Sequence, residues 1–215
     1  MADGILLFGS PGVGKGDLSK VLKSYDFEYL GSGDIFREIA RRATEGDEVA
    51  AQIYSTMNSG KLIDDETTMS EFRRHLENVP VEKSFIFDAP RSAEQVRIFS
   101  GEIAPERKLK RKITLYLEAS RKVCSDRLFH RGANSGRTDD VDPKIVEERL
   151  NEFDGYKAAT LAALRNHSDH FFTIPAHLKR QEVATLALVR LCTINPSDGF
   201  REAMEAIDFV QEAAA

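Results

Sequence analysis

Gly9, Gly14 and Lys15 stand at the spacing G-x-x-x-x-G-K, directly after the apolar run "GILLF" (Gly4 to Phe8) and directly before a helical pattern. That context suits a loop that cradles phosphates. Its glycines let backbone N–H groups turn toward phosphate oxygens, the following helix presents the positive end of its dipole, and Lys15 adds a full charge. One residue is out of place. Such a loop usually has a Ser or Thr hydroxyl within a residue or two of the Lys, whereas this one has Gly16 and the carboxylate of Asp17. Two like unit charges about 5 Å apart repel by roughly 3 kcal/mol at an effective dielectric near 20, and solvent and a cation reduce that. The expectation is a nucleotide phosphate site that Asp17 weakens without abolishing, its carboxylate turned outward or toward the cation. An acidic residue in a first helical turn is locally favourable, which gives Asp17 a plain structural reason as well.

A phosphate loop needs a strand to end on and a helix to open. Short apolar runs alternate with longer amphipathic ones along the chain, the pattern of a parallel sheet covered by helices. The strand candidates are "GILLF", "FEYL" (Phe27 to Leu30), "SFIFD" (Ser84 to Asp88), "ITLYL" (Ile113 to Leu117) and "FFTIP" (Phe171 to Pro175). Ligands of such sheets collect at the carboxyl ends of the strands, so the residues just after these runs are the ones to read for chemistry. From Ile35 to His75 the pattern is of several helices broken at "EGD" and "NSGK". The stretch from His130 to Lys144 has no apolar periodicity and reads as a mobile loop. The tail after Pro196 reads as an amphipathic helix.

Composition bounds the rest. The 215 residues, 41% apolar and 30% charged, suffice for one buried core. With 30 Lys and Arg against 35 Asp and Glu, the net charge of -5 gives no global basic field for a nucleic-acid or membrane partner. The basic run "RKLKRK" (Arg107 to Lys112) reads as a solvated loop. Cys124 and Cys192 are distant and lack C-x-x-C spacing, which supports neither a disulfide framework nor a zinc site. The apolar run before Gly9 is too short for a signal peptide or membrane span, so the expectation is a cytoplasmic protein. His75, His130, His167, His170 and His177 show no catalytic or metal spacing.

Five segments together resemble the adenylate kinase family of nucleoside monophosphate kinases. "GSPGVGKG" is similar to its phosphate loop, "GSGDIFR" (Gly31 to Arg37) to its S-T-G-D-hydrophobic-hydrophobic-R signature, and "SGKLIDDE" (Ser59 to Glu66) to its G-K-L-V-x-D-E segment. "FIFDAPRSAEQ" (Phe85 to Gln95) is similar to D-G-F-P-R with a Gln four residues after the Arg. "DRLFHRGANSGRTDDVDPKIVEERL" (Asp126 to Leu150) is similar to the short-lid pattern D-R-x-x-x-R-G-x-x-S-G-R-x-D-D followed by a helix ending R-L. The tail beyond about Asn195 lies outside the resemblance. The fold it implies is α/β, a P-loop NTPase-type three-layer sandwich with a central five-stranded parallel sheet. It implies a core of 1–30, 75–130 and 145–195, a helical monophosphate-binding insert at 31–74, a short lid at 131–144 and a tail at 196–215.

The activity implied is transfer of the γ-phosphoryl group of MgATP to AMP, which asks mainly for positioning and for positive charge around the moving group. On this resemblance Gly12, Val13, Gly14, Lys15, Gly16 and Asp17 line the ATP phosphates, Arg127 lies against the ATP base and Arg131 reaches the phosphates. Ser32, Arg37, Leu62, Ile63, Ala89, Arg91 and Gln95 line AMP, with Arg37 and Arg91 gripping its phosphate. Arg137 and Arg149 close in from the lid, and Asp139 and Asp140 pair with arginines or the ribose there. Lys15, Asp88, Arg91, Arg131, Arg137 and Arg149 form the catalytic set. Asp88 holds waters on Mg²⁺, with no direct protein ligand to the metal, and Asp34 supports the same region. Closure excludes water as a competing acceptor. Members with this lid are commonly monomeric.

Two departures bear on substrate and turnover. The hydroxyl of Ser32, where AMP kinases carry Thr, and the amide of Gln95, aimed at the adenine edge, favour AMP. "DAPR" is one residue shorter than D-G-F-P-R, which leaves UMP/CMP or broad-specificity monophosphate kinase activity as an alternative. Together with Asp17 it also leaves open a nucleotide-binding protein with little turnover.

Overall fold

The computed structural model of the chain describes residues 2–58, 63–88, 90–135 and 142–194. All five apolar runs form strands: β1 (Asp3–Phe8), β2 (Glu28–Gly31), β3 (Phe85–Asp88), β4 (Arg111–Glu118) and β5 (His170–Pro175). They make one all-parallel sheet in the order β2-β3-β1-β4-β5. Its central strand, β1, is buried at every position, which is why its sequence is a continuous apolar run and does not alternate. The register sets Leu7 of β1 beside Asp88 of β3, and Gly31 of β2 on the other side of Asp88.

The helices are α1 (Lys15–Lys23), α2 (Ser32–Thr44), α3 (Glu48–Asn58), α4 (Asp65–Leu76), α5 (Ala93–Ile98), α6 (Ala104–Glu106), α7 (Arg121–Ser135), α8 (Pro143–His167) and α9 (Arg180–Ile194). A π-helical stretch, Phe99–Ile103, joins α5 to α6. Pro143 opens α8, where its missing N–H costs nothing. Among the described residues no helix is long and apolar enough to cross a membrane.

The described residues fall into two compact units. One takes those of Met1–Leu7, Glu28–Thr114 and Tyr156–His170, the other those of Phe8–Phe27, Leu115–Gly155 and Phe171–Ala215. The first is built on Phe72, Phe85, Phe87 and Phe99, all within 2% of full burial. Phe72 and Phe87 meet at 4.2 Å between centroids, and Phe87 stacks on Phe99 at 6.1 Å. Burial of each such ring contributes on the order of 2–3 kcal/mol. In the second, Phe8 packs on Tyr116 at 5.9 Å and on Phe153 at 5.4 Å.

Asp64 caps α4: its carboxylate accepts from the Thr67 amide at 2.8 Å and from the Thr67 hydroxyl at 2.8 Å. The amide bond, with the hydroxyl second, holds its pKa below the ordinary carboxylate value. A depressed folded-state pKa means the cap's contribution is complete above the unfolded value and is lost as pH falls through the folded one. Asp64→Ala should therefore cost about 1 kcal/mol at pH 7. In urea titrations the gap between variant and parent should narrow as pH falls below the ordinary carboxylate range, and a gap that stays constant with pH would contradict this assignment.

Two expectations need correction. The run "RKLKRK" is a solvated loop only in part: Lys108 and Lys110 are exposed outside any helix or strand, but the arginines are engaged. Arg107 donates to the carbonyls of Leu76 (3.1 Å), Val79 (2.8 Å) and Pro80 (2.6 Å), and burial pushes its guanidinium pKa down. Arg111 lies in β4 and clasps Asp3 through two bonds of 2.9 and 2.7 Å. The physical reason is that the turns following α4 present the carbonyls of Leu76, Val79 and Pro80 together, and each carbonyl oxygen has a lone pair that a distant Arg can satisfy. Secondly, α7 continues through Ser135, so 130–135 are helical and not loop. An established helix adds one hydrogen bond per residue whether or not the apolar period persists. Of the expected lid, 136–141 lie outside the described residues.

Candidate active site

In the unit that holds Phe8–Phe27 the phosphate loop runs from the end of β1 to α1. Gly12 shows why this loop is glycine-rich: its φ is +80°, and a Cβ there would lie 2.4 Å from the Cys124 carbonyl oxygen and 2.8 Å from Leu128 Cγ. The crest of the loop is thus pressed onto α7. Val13 is buried, and Gly14, at φ 110°, immediately precedes α1. Lys15 bends back over the loop, its Nζ donating to the carbonyls of Gly9 at 2.7 Å and Ser10 at 3.3 Å. A cation is thus held at the start of the loop, and at its end α1 begins with amides that have no helical acceptor. Gly16 follows inside that turn.

Asp17 turns to α9, where Arg180 Nε is 3.1 Å from Oδ2. Both groups are solvated, so the pair itself adds at most about 1 kcal/mol. Its effect is to hold the carboxylate beside a positive charge, which answers the difficulty that the sequence raised.

Arg127, expected against the ATP base, has its guanidinium edge bonded to backbone: Nη1 to the carbonyls of Val13 (3.2 Å) and Ala176 (2.6 Å), Nη2 to that of Leu178 (3.3 Å). It struts the phosphate loop to the segment after β5 through three of its five N–H donors, and a planar guanidinium also has a flat face on which a base can stack. Arg131 lies one helical turn further along α7, on the same face as Arg127. Arg149, half-buried, belongs to α8. Arg121 fastens those two helices, bonding Glu147 (2.6 Å), Asn151 (2.9 Å) and Asp154. No local feature of the sequence marks Arg121 for this work.

The acceptor candidates belong to the other unit. Because Gly31 and Asp88 are register partners, the start of α2 and the segment after β3 leave the sheet side by side. Ser32 is the first residue of α2. Arg37, further along α2, pairs with Asp34. The Arg91 guanidinium lies 5.9 Å from the centroid of the Phe36 ring, next in sequence to Arg37. Arg91 thus lies against α2, the helix that carries Arg37. Ile63, half-buried, leads into the Asp64 cap. Leu62, Ala89, Arg137, Asp139 and Asp140 lie outside the described residues.

Gln95 has an unforeseen duty. Its side chain is buried, its Oε1 accepts from the Arg91 amide at 2.8 Å, and its Nε2 donates to Asp65 Oδ1 at 2.8 Å. The Ser92 hydroxyl in turn accepts from the Gln95 amide at 3.0 Å, close to a reciprocal cap, and S-x-x-Q was the signal for it. Beyond these two bonds a primary amide keeps one N–H and one lone pair for a base. Sequence reasoning missed Tyr29 altogether, whose hydroxyl donates to Asp88 Oδ2 at 2.6 Å.

A G-x-x-x-x-G-K loop between β1 and α1 of a parallel sheet defines a P-loop nucleotide-binding protein. A family model described as adenylate kinase matches residues 7–169. The adenylate kinase of Flavobacterium psychrophilum is 32% identical over 165 residues, 76% of this chain and 85% of its own. The adenylate kinase isoenzyme 1 of Gallus gallus is 31% identical over 157 residues, covering 72% and 75%. The UMP-CMP kinase of Danio rerio is 30% identical over 155 residues, covering 69% and 76%. The chain belongs to the adenylate kinase family. It is an enzyme, a nucleoside monophosphate kinase.

Proposed function

We propose that the chain transfers the γ-phosphoryl group of MgATP to AMP, releasing two ADP. The observation that carries this reading is that the start of α2, which carries Arg37, and the segment after β3, which carries Arg91, leave the sheet side by side, with Arg91 against Phe36, so that two guanidiniums are available to an acceptor phosphate. In this reading Lys15 and the loop amides of Gly12 to Gly16 bind the donor phosphates, Arg131 and Arg149 supply charge that follows the moving group, and Arg127 offers its flat face to the donor base. Arg37 and Arg91 orient the acceptor oxygen for attack. Residues 31–74 form the acceptor insert, and 131–144, with Arg137, the lid.

The donor chemistry of Asp88 fits Mg²⁺. It is a hard carboxylate, half-buried, at the carboxyl end of a strand, with one oxygen oriented by Tyr29. Asp88 would hold waters of the metal that arrives with ATP. Bound there, Mg²⁺ supplies neutralisation of charge on the donor phosphates. In this reading the chain is a cytoplasmic monomer whose partners are small nucleotides, and its net charge of -5 gives no global basic field for nucleic acid or a membrane.

A second acceptor class has its own support: Gln95 is committed at both ends of its amide, and a UMP-CMP kinase is among the similar proteins. A coupled assay of ADP formation with MgATP and each of AMP, GMP, CMP and UMP decides. Strong turnover on AMP alone is expected. Preference for CMP or UMP would replace the AMP reading, and nucleotide binding without turnover would leave a binding protein. In the same assay Asp17→Thr should lower KM for ATP about three- to fivefold, the remainder of a screened repulsion. An unchanged or higher value would show that Arg180 already cancels the charge.

A further inference from the structure

We propose that Tyr29 is a positioning residue for phosphoryl transfer, fixing the Asp88 carboxylate through its phenol, and that Gly31 is glycine so that the Tyr29 ring can lie there. The proposal rests on the reading of Asp88 as the carboxylate that holds the Mg²⁺ waters.

Three observations on one strand pair carry it. First, the phenol O–H donates to Asp88 Oδ2 at 2.6 Å, within the range of hydrogen bonds to a charged acceptor, which are about twice as strong as neutral ones. Secondly, the parallel register sets Tyr29 beside Ile86 and Gly31 beside Asp88, so the ring must lean along its own strand, across position 31, to bring its hydroxyl to that carboxylate. Thirdly, position 31 has no room for anything else: a Cβ there would lie 2.6 Å from the Tyr29 hydroxyl oxygen and 2.9 Å from both Cε1 and Cζ. The backbone of Gly31, at φ -90° and ψ 143°, is extended and open to any residue. Conformation therefore does not explain the glycine, and the close approach of the ring does. A carboxylate turns readily about its terminal torsion. With one oxygen held by the phenol, the directions of the lone pairs on the other are set as well, which is what an acceptor of metal-bound water requires.

Tyr29→Phe removes one oxygen and keeps the ring. With AMP and a non-hydrolysable ATP analogue present, a Mn²⁺ titration followed by electron paramagnetic resonance should show affinity weakened about tenfold, and kcat should fall about tenfold. KM for AMP should stay within about twofold and the melting temperature within about 2 °C, a split that a merely structural role would not produce. Gly31→Ala should reproduce the loss of kcat alone, yet lower the Tyr29→Phe variant by less than about twofold, because the bond it disturbs is already gone. Wild-type Mn²⁺ affinity and kcat in Tyr29→Phe would overturn the proposal even if Gly31→Ala does not fold. Asp88→Ala separates the two levels. If it weakens Mn²⁺ binding and kcat about a hundredfold while Tyr29→Phe changes neither, the role of Tyr29 fails alone. If Asp88→Ala also changes neither, the reading of Asp88 fails and takes the proposal with it.

Discussion

Lys15→Met is expected to lower kcat about a thousandfold while the protein remains folded at 25 °C. The Lys15 ammonium is drawn over the phosphate loop by the carbonyls of Gly9 and Ser10, at 2.7 and 3.3 Å. Both are neutral oxygens, and phosphate oxygens that carry charge compete well for the same donors. As the γ-phosphoryl group moves, its equatorial oxygens and the leaving oxygen share a changing negative charge, so a cation at this place stabilises the transition state more than the ground state. The loss should therefore fall mainly on kcat, with a smaller rise in KM for ATP. Met keeps the length and the apolar stem, and it gives up two side-chain to backbone hydrogen bonds worth roughly 1 kcal/mol each. Circular dichroism confirms folding, and the coupled assay measures the rate. A kcat within tenfold of the parent would remove Lys15 from the catalytic set and with it the main argument for turnover from the loop.

Glu71→Ala is expected to be the most destabilising single change outside the aromatic core, at about 3–5 kcal/mol. Arg42 on α2 and Glu71 on α4 form an ion pair with side chains only 9% and 10% exposed. The second guanidinium nitrogen of Arg42 reaches Asp47 at 3.1 Å. Asp47 cannot take over from Glu71, because its other oxygen caps α3 by accepting from the Ala50 amide at 3.0 Å, the bond that chiefly holds its pKa below the usual carboxylate value. Removing Glu71 leaves a guanidinium buried and short of charge compensation. Removing both partners does not, so Arg42→Met/Glu71→Leu should recover to within about 1 kcal/mol of the parent in urea denaturation or exceed it. A cost below about 1 kcal/mol for Glu71→Ala would show that the α2–α4 connection is held by packing alone. Since α2 also carries Arg37, KM for AMP should rise in the single variant before KM for ATP does.

What could be read without coordinates was local. Apolar runs of four or five residues mark all five strands, most plainly β1, where burial at every position demands one. The phosphate loop is legible because its chemistry is contained within seven consecutive residues. Where Arg107, Arg111, Gln95 and Tyr29 send their side chains could not be read in this way. Arg107 answers carbonyls 27 to 31 residues away, Arg111 an aspartate 108 away, and Tyr29 a carboxylate 59 away. An arginine in a basic run looks the same whether it is solvated or satisfies distant carbonyls. An amide four residues after an arginine looks the same whether it faces a base or its own backbone.

By itself the sequence of this kinase determined the strands, the phosphate loop and the set of cations available for phosphate. Only the tertiary structure decided which charges are committed to holding the protein together. It turned Asp17 to Arg180, tied Gln95 to Arg91 and Asp65, and set Tyr29 on Asp88 across Gly31. The reason is physical. Hydrophobic periodicity is a property of neighbours along the chain, whereas a buried polar group takes whichever partner the fold brings within about 3 Å.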